Sequence, residues 1–286
     1  MSESERYPKK WTAFGMVILG MLLPLLLVGF FVKSPEDLMA GNVRTFIFLG
    51  EILIIIPPVI YAYRKEYNLR ELFRWSQVPI TALFWAFLAG LGISILVDEM
   101  DRLFSIFVSP PDWLTQSMDL FRITSFTDFL LLVGGVSVIA PIAEEIMFRG
   151  FLQTSLEYRE QDATKAILIT ALAFAIIHMN SYWVVQIYLF GVALSYFSWR
   201  TQSIFPGMIV HMTINGFSIL LTNLTFHDQM GWYQMGEHVS PVWLVFGAGA
   251  FYIGFKKINQ LFPLDERRSQ TILEKPEDNE TSLYRQ

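Results

Sequence analysis

The chain has 286 residues, 53% of them hydrophobic and 16% charged, with a mean hydropathy of +0.42 and a formal net charge of −5 at pH 7. Soluble domains carry about 25% charged residues, and here the apolar residues sit in blocks about 20 long, the length that crosses a bilayer as a helix. A soluble enzyme, a disordered chain and a collagen-like fibre are excluded. No basic stripe supports nucleic-acid binding, and the lack of cysteine removes disulfides, thiolate metal sites and a cysteine nucleophile.

The first ten residues are polar and carry Arg6, Lys9 and Lys10. The apolar block at 11–32 is too long for a signal-peptide core and lacks a small-x-small cleavage site, so it reads as a retained first span. Further apolar segments follow at 43–63, 78–97, 129–148, 164–182, 184–199, 203–224 and 240–258. That makes about eight transmembrane helices. The stretch 98–108 is amphipathic and is expected to lie at the interface. Asn180 to Trp183 must form a tight turn between the fifth and sixth segments. Both termini are assigned to the cytoplasm, because that choice puts 17 of the 21 basic residues on the inside, as the distribution of Lys and Arg in membrane proteins requires. The fold class is therefore all-α: a polytopic membrane bundle over residues 1–262 and a polar tail, 263–286, expected to be disordered or loosely helical.

An ionisable side chain deep in a membrane helix costs several kcal/mol, so each one needs a reason. In Glu144-Glu145-Ile146-Met147-Phe148-Arg149, Glu145 and Arg149 share a helix face and can pair. Glu144 points about 100° away from that face, and two adjacent carboxylates in low dielectric do not both ionise cheaply. The spacing makes Glu145 a charged structural partner and Glu144 a candidate general base. Alone, the motif also reads as a helix end solvated at the membrane surface. Phe174 to His178 puts an imidazole in the fifth segment, either as chemistry or as a histidine satisfied by a backbone carbonyl. His211 and Asn215 lie four apart on one face of the seventh, as two donors for one oxygen or as an interhelical packing contact. Glu51 sits mid-span with no assigned role; lining the same cavity, pairing with Arg149 or finding a local partner are all open.

Depth argues for one shared cavity. At about 1.5 Å per residue, His178 lies roughly 21 Å, His211 roughly 12 Å and Asn215 roughly 18 Å from the inner edge. Glu144 reaches the same layer if the fourth helix continues past Arg149 to about Tyr158, which Gly150 alone does not prevent. Pro141 is expected to kink that helix and free the carbonyl of Ser137.

In these three motifs, EEIMFR (144–149), FAIIH (174–178) and HMTIN (211–215), the chain resembles the CAAX-processing and bacteriocin-processing (CPBP, or Abi) intramembrane glutamic endopeptidases, which include the type 2 CAAX prenyl protease. The resemblance covers about 129–224 and implies a protease core there. It implies that Glu144 activates the attacking water with help from His178, that His211 and Asn215 stabilise the oxyanion, and that Glu145 with Arg149 supports them. It implies no metal cofactor. Glu144, His178 and His211 are zinc ligands by type, so a zinc-dependent membrane protease is the alternative mechanism. A proton-coupled transporter and a non-catalytic immunity or binding scaffold of the same fold are the alternative functions. The expected partners are membrane lipid and a peptide or membrane-protein substrate, lipidated if it is a prenylated CAAX protein. The expected location is the plasma or inner membrane of a bacterium, or the endoplasmic reticulum of a eukaryote.

Overall fold

A computed structural model describes residues 6–31 and 43–264; all but the first two residues of the predicted tail lie outside it. Among the described residues, nine of the helices carry the architecture: α1 (Lys10–Phe31), α2 (Val43–Leu53), α3 (Ile56–Arg64), α4 (Ile80–Phe107), α5 (Phe126–Glu160), α6 (Ala163–Ile177), α7 (Val184–Thr201), α8 (Phe205–Phe226) and α9 (Pro241–Leu261). A two-stranded hairpin, Gln234–Met235 with His238–Val239, caps one end. Among the described residues, five helical segments are long and apolar enough to cross a membrane, including α1, α4, α5, α8 and a stretch, Arg44–Arg64, that joins α2 to α3. α6 is a shorter apolar helix. The molecule is an all-α integral membrane bundle. Its helices follow the eight apolar segments of the sequence, with Pro57 and Pro58 in the first turn of α3 where the second segment divides.

Large apolar side chains are exposed along the long helices, such as Leu25, Leu26 and Phe30 on α1 and Ile80, Phe84 and Phe87 on α4. In a soluble protein such a surface would be anomalous; here it faces hydrocarbon. The interior forms two main apolar clusters. One joins Ala13 and Val17 of α1 to Met147, Phe148, Phe151 and Leu152 of α5 and Phe174 of α6. The other joins Ala86, Ala89 and Ile93 of α4 to Leu194 and Phe197 of α7, Val210 of α8 and Ile258 of α9. Of the motif residues, Glu144, Glu145 and Arg149 lie on α5, His178 ends α6, and His211 and Asn215 lie on α8.

The described ion pairs fall in three layers along α5. At its C-terminal end are Lys10–Glu160, Lys165–Glu160, Arg74–Glu157 and, nearby, Arg6–Glu71. At its N-terminal end is Arg44–Asp128, with Arg102–Asp98 and Glu99–His238 on the same side. Every pair of the outer layers joins residues that the basic-charge count puts on one side of the membrane. The middle layer consists of Glu144, Glu145, Arg149 and His211.

Two features of local structure position the site. The stretch 98–108 is the end of α4, which runs unbroken for 28 residues to Phe107. Its last turns cover the α6–α7 turn: Trp183 donates its indole N–H to Asp101 at 2.7 Å, and Tyr182 stacks edge-on to Phe104. α6 has 15 residues, roughly 22 Å of helix against a hydrocarbon layer of about 30 Å. The α6–α7 turn is thus tied to α4 through Asp101 and Phe104.

The expectation about Pro141 is corrected. α5 is helical throughout and continues to Glu160, as its depth required. It contains two π-helical stretches, Leu130–Ile139 and Ile146–Leu152, on either side of an α-helical segment, Ala140–Glu145. In the wider register the amide of Ala140 bonds the carbonyl of Gly135, five residues back. The carbonyl that Pro141 leaves without an amide is then that of Val136, and not that of Ser137.

α4 and α9 cross through small residues. A Cβ on Gly92 would lie 2.5 Å from the carbonyl oxygen of Gly247, and one on Gly254 would lie 2.6 Å from that of Trp85. Backbone cannot yield there as a side-chain tip can. Gly92→Leu is expected to force α9 off α4 and lower stability by about 1–3 kcal/mol, read as a fall in unfolding temperature in detergent. Gly249→Leu on α9, whose Cβ position meets nothing within 4 Å, should leave that temperature within a degree or two.

Candidate active site

Glu144 and Glu145 close the short α-helical segment between the two π stretches of α5. Such wide turns alter which residues share a face, and they occur often at functional sites. Glu145 is fully buried. Its Oε1 accepts from Arg149 Nη1 at 2.8 Å and from His211 Nδ1 at 3.1 Å. Arg149, also fully buried, donates a second bond from Nη2 to the carbonyl of Gly191 on α7 at 3.2 Å, and its guanidinium lies 4.2 Å from the centre of the Phe174 ring. A buried ion pair is better tolerated when hydrogen bonds and ring faces satisfy what the pair leaves over; Gly191 and Phe174 supply part of this, while Arg149 Nε and Glu145 Oε2 have no hydrogen-bond partner among the described residues.

Glu144 emerges on the adjacent face and is only 13% exposed. Its Oε2 lies 3.7 Å from His211 Nε2. The imidazole of α8 therefore stands between two carboxylates of α5, with Nδ1 toward Glu145 and Nε2 toward Glu144. A carboxylate that already accepts from Arg149 leaves the Nδ1 proton on the histidine. The free position of the ring, Nε2, faces Glu144, and one proton can reside on either of these two groups.

His178 ends α6 and is exposed. Its Nδ1 lies 2.6 Å from the carbonyl of Phe174; a carbonyl only accepts, so Nδ1 carries the proton and Nε2 has the lone pair. Among the described residues no hydrogen bond joins His178 to Glu144. Phe174 lies between the two histidines, its ring centre 4.6 Å from that of His178 and 5.8 Å from that of His211.

Asn215, one helical turn from His211, donates from Nδ2 to the carbonyl of Val136 at 2.9 Å. It thus takes the place of the amide that Pro141 lacks and ties α8 to α5 just before the two glutamates. One amide proton of Asn215 is committed to this bond and the other is free of it. Glu51 is half-buried on α2, which packs on the 140–145 segment, and forms no ion pair with Arg149. Among the described residues no group of three or more acidic or histidine side chains is gathered as a metal site.

The structure thus brings together Glu144, Glu145, Arg149 and His211 directly, and attaches Asn215 and His178 through backbone carbonyls. Sequence reasoning paired His211 with Asn215 and missed its bond to Glu145, for which helical spacing gives no signal. It also left Phe174 without a role, although a buried arginine implies an aromatic or carbonyl partner.

The Asn215 bond yields a prediction. Asn215→Ala is expected to lower stability by about 1–3 kcal/mol, since the partly buried Val136 carbonyl loses its donor. In a Pro141→Ala background residue 141 supplies an amide, and the cost of Asn215→Ala should fall to less than half. Unfolding of the four proteins in detergent measures the coupling, and equal losses in both backgrounds would contradict it.

Residues 126–217 match the family described as Type II CAAX prenyl endopeptidase Rce1-like. The matched stretch begins with α5 and ends just past Asn215 in α8, so it holds every motif residue described above. No curated protein and no solved structure matches the chain. Over the helices that build this site, the chain is similar to the type II CAAX prenyl endopeptidases.

Proposed function

We propose that the protein is an intramembrane endopeptidase in which Glu144 is the general base for an attacking water. The observation that carries this reading is the imidazole of His211 held between Glu145 and Glu144. When Glu144 is ionised, the shared proton resides on His211. The ring is then an imidazolium, and its Nε2–H is a donor beside the base. Water placed against Glu144 gives up its proton to the carboxylate as its oxygen attacks the peptide carbonyl. The lone pair at His178 Nε2 orients that water from the other side. Negative charge develops on the carbonyl oxygen, and His211 Nε2–H with the uncommitted amide proton of Asn215 are the donors for it; loss of one such donor typically costs about 100–1,000-fold in rate. The proton on Glu144 then passes to the leaving amine. Glu145 and Arg149 keep the geometry and exchange no atoms.

The substrate in this reading is a peptide bond presented at the bundle, with both termini of the protease in the cytoplasm. A prenylated CAAX protein is the substrate where the host prenylates proteins, and other membrane or bacteriocin-like peptides are the substrate where it does not. The bonds of Asn215 and His178 to backbone carbonyls also suit a silent scaffold of the same fold, and activity separates the two.

Purified protein in detergent should cleave members of a quenched peptide library. Glu144→Ala and His178→Ala are expected to lose nearly all activity, about 1,000-fold or more for the base, and Asn215→Ala about 100-fold. Activity should survive a chelator. Chelator-sensitive cleavage restored by zinc would establish the metal mechanism instead. Undiminished cleavage by Glu144→Ala would remove the proposed base, and an inert wild type would favour the scaffold.

A further inference from the structure

Glu145 is held on three sides, and the third is neither a charge nor a hydrogen bond. Its Oε1 is tied to Arg149 and His211. Its Oε2 is buried and has no hydrogen-bond partner among the described residues. That oxygen rests on Gly207, the third residue of α8 and itself buried. A Cβ on Gly207 would lie 2.9 Å from Glu145 Oε2, with the Glu145 carboxyl carbon at 3.7 Å and the carbonyl of Leu194 at 3.5 Å. The tip of a free side chain would swing aside at little cost. This one is clamped by two partners, and any swing carries Oε1 with it.

We propose that Gly207 is a positioning residue of the site: its missing side chain makes the seat of the Glu145 carboxylate, and that seat fixes the orientation and the protonated nitrogen of His211. Both residues lie on α8 four apart, so the helix that supplies the imidazole also supplies the floor under the carboxylate that orients it. The seat lies in the first turn of a 22-residue helix, where the backbone dipole favours a negative charge. A methyl group there pushes the carboxylate off its seat and breaks or lengthens the bond to Nδ1. The Nδ1 proton then has no fixed acceptor and the ring loses its register against Glu144. The inference rests on the hydrolase reading only for its kinetic consequence; the effect on His211 stands without it.

The test therefore has two arms. The chain has four histidines, so ¹⁵N-histidine NMR of the full-length protein in lipid nanodiscs resolves His211 by comparison with His211→Asn. Gly207→Ala is expected to move the His211 Nδ1 and Nε2 signals as Glu145→Gln does, while His227 and His238 stay in place. Gly216→Ala on the same helix, whose Cβ would find only the Ser137 side chain at 3.8 Å, should move neither. In the kinetic arm Gly207→Ala is expected to lower kcat about 100-fold, the cost of roughly 1 Å of misplacement, with KM unchanged. A double-mutant cycle guards against misfolding. In a Glu145→Ala background the space is open, so Gly207→Ala should add no further loss of thermal stability.

Wild-type His211 signals in Gly207→Ala would overturn the proposal, as would an equal stability loss in both backgrounds or a double variant less stable than Glu145→Ala alone. If Gly207→Ala alone does not fold but the double variant does, the clash with the carboxylate is established. An inactive wild type with the expected NMR shifts would refute the hydrolase reading and leave the role of Gly207 intact.

Discussion

One buried carboxylate, that of Glu145, organises the centre of this bundle. It has no solvent, so every interaction it makes is a structural necessity: Arg149 balances its charge, His211 donates to it, and Gly207 leaves room for it. Removing one partner of a buried pair strands the other charge at a cost of roughly 3–5 kcal/mol. That cost keeps α5, α7 and α8 in one arrangement, because Arg149 also binds the Gly191 carbonyl on α7 and His211 belongs to α8. In hydrocarbon, apolar packing between helices has no preference over packing against lipid. The polar core therefore supplies the specificity that apolar burial supplies in a soluble protein.

The same arrangement separates the two adjacent glutamates into different roles. Glu145 is fully enclosed and ion-paired, whereas Glu144 is slightly exposed and meets the far nitrogen of the same imidazole. The π-helical stretches on both sides let a short α-helical segment aim the two carboxylates independently of the rest of α5. Pro141 and Asn215 contribute to this aim. The proline opens one carbonyl, and the asparagine of α8 closes it from outside the helix. A backbone group that would be orphaned in the membrane becomes the link between the two helices that carry the site.

Much of this was legible in the sequence. The eight apolar segments became helices, because a block of about 20 apolar residues has few other stable forms in a membrane. The charge asymmetry is matched by the layers of ion pairs at the two ends of α5. The Glu145–Arg149 pair followed from the spacing of four, and the long fourth helix from the depth that Glu144 needed. What was not legible depends on contacts between helices. Nothing in HMTIN shows that His211 faces Glu145, and Gly207 reads as an ordinary helix-start glycine until a carboxylate is placed against it. The Ser137 expectation failed for a local reason, since counting four residues back from Pro141 assumes an α register that the chain has left.

The central claim is that a single imidazole bridges the two adjacent carboxylates. An experimental structure of the full-length protein in lipid nanodiscs, at a resolution that defines side-chain rotamers, tests it most directly. The account predicts the His211 ring between them, with Nδ1 in hydrogen-bond distance of Glu145 and Nε2 directed at Glu144. A His211 ring turned away from α5, or a Glu145 side chain bonded elsewhere, would contradict it.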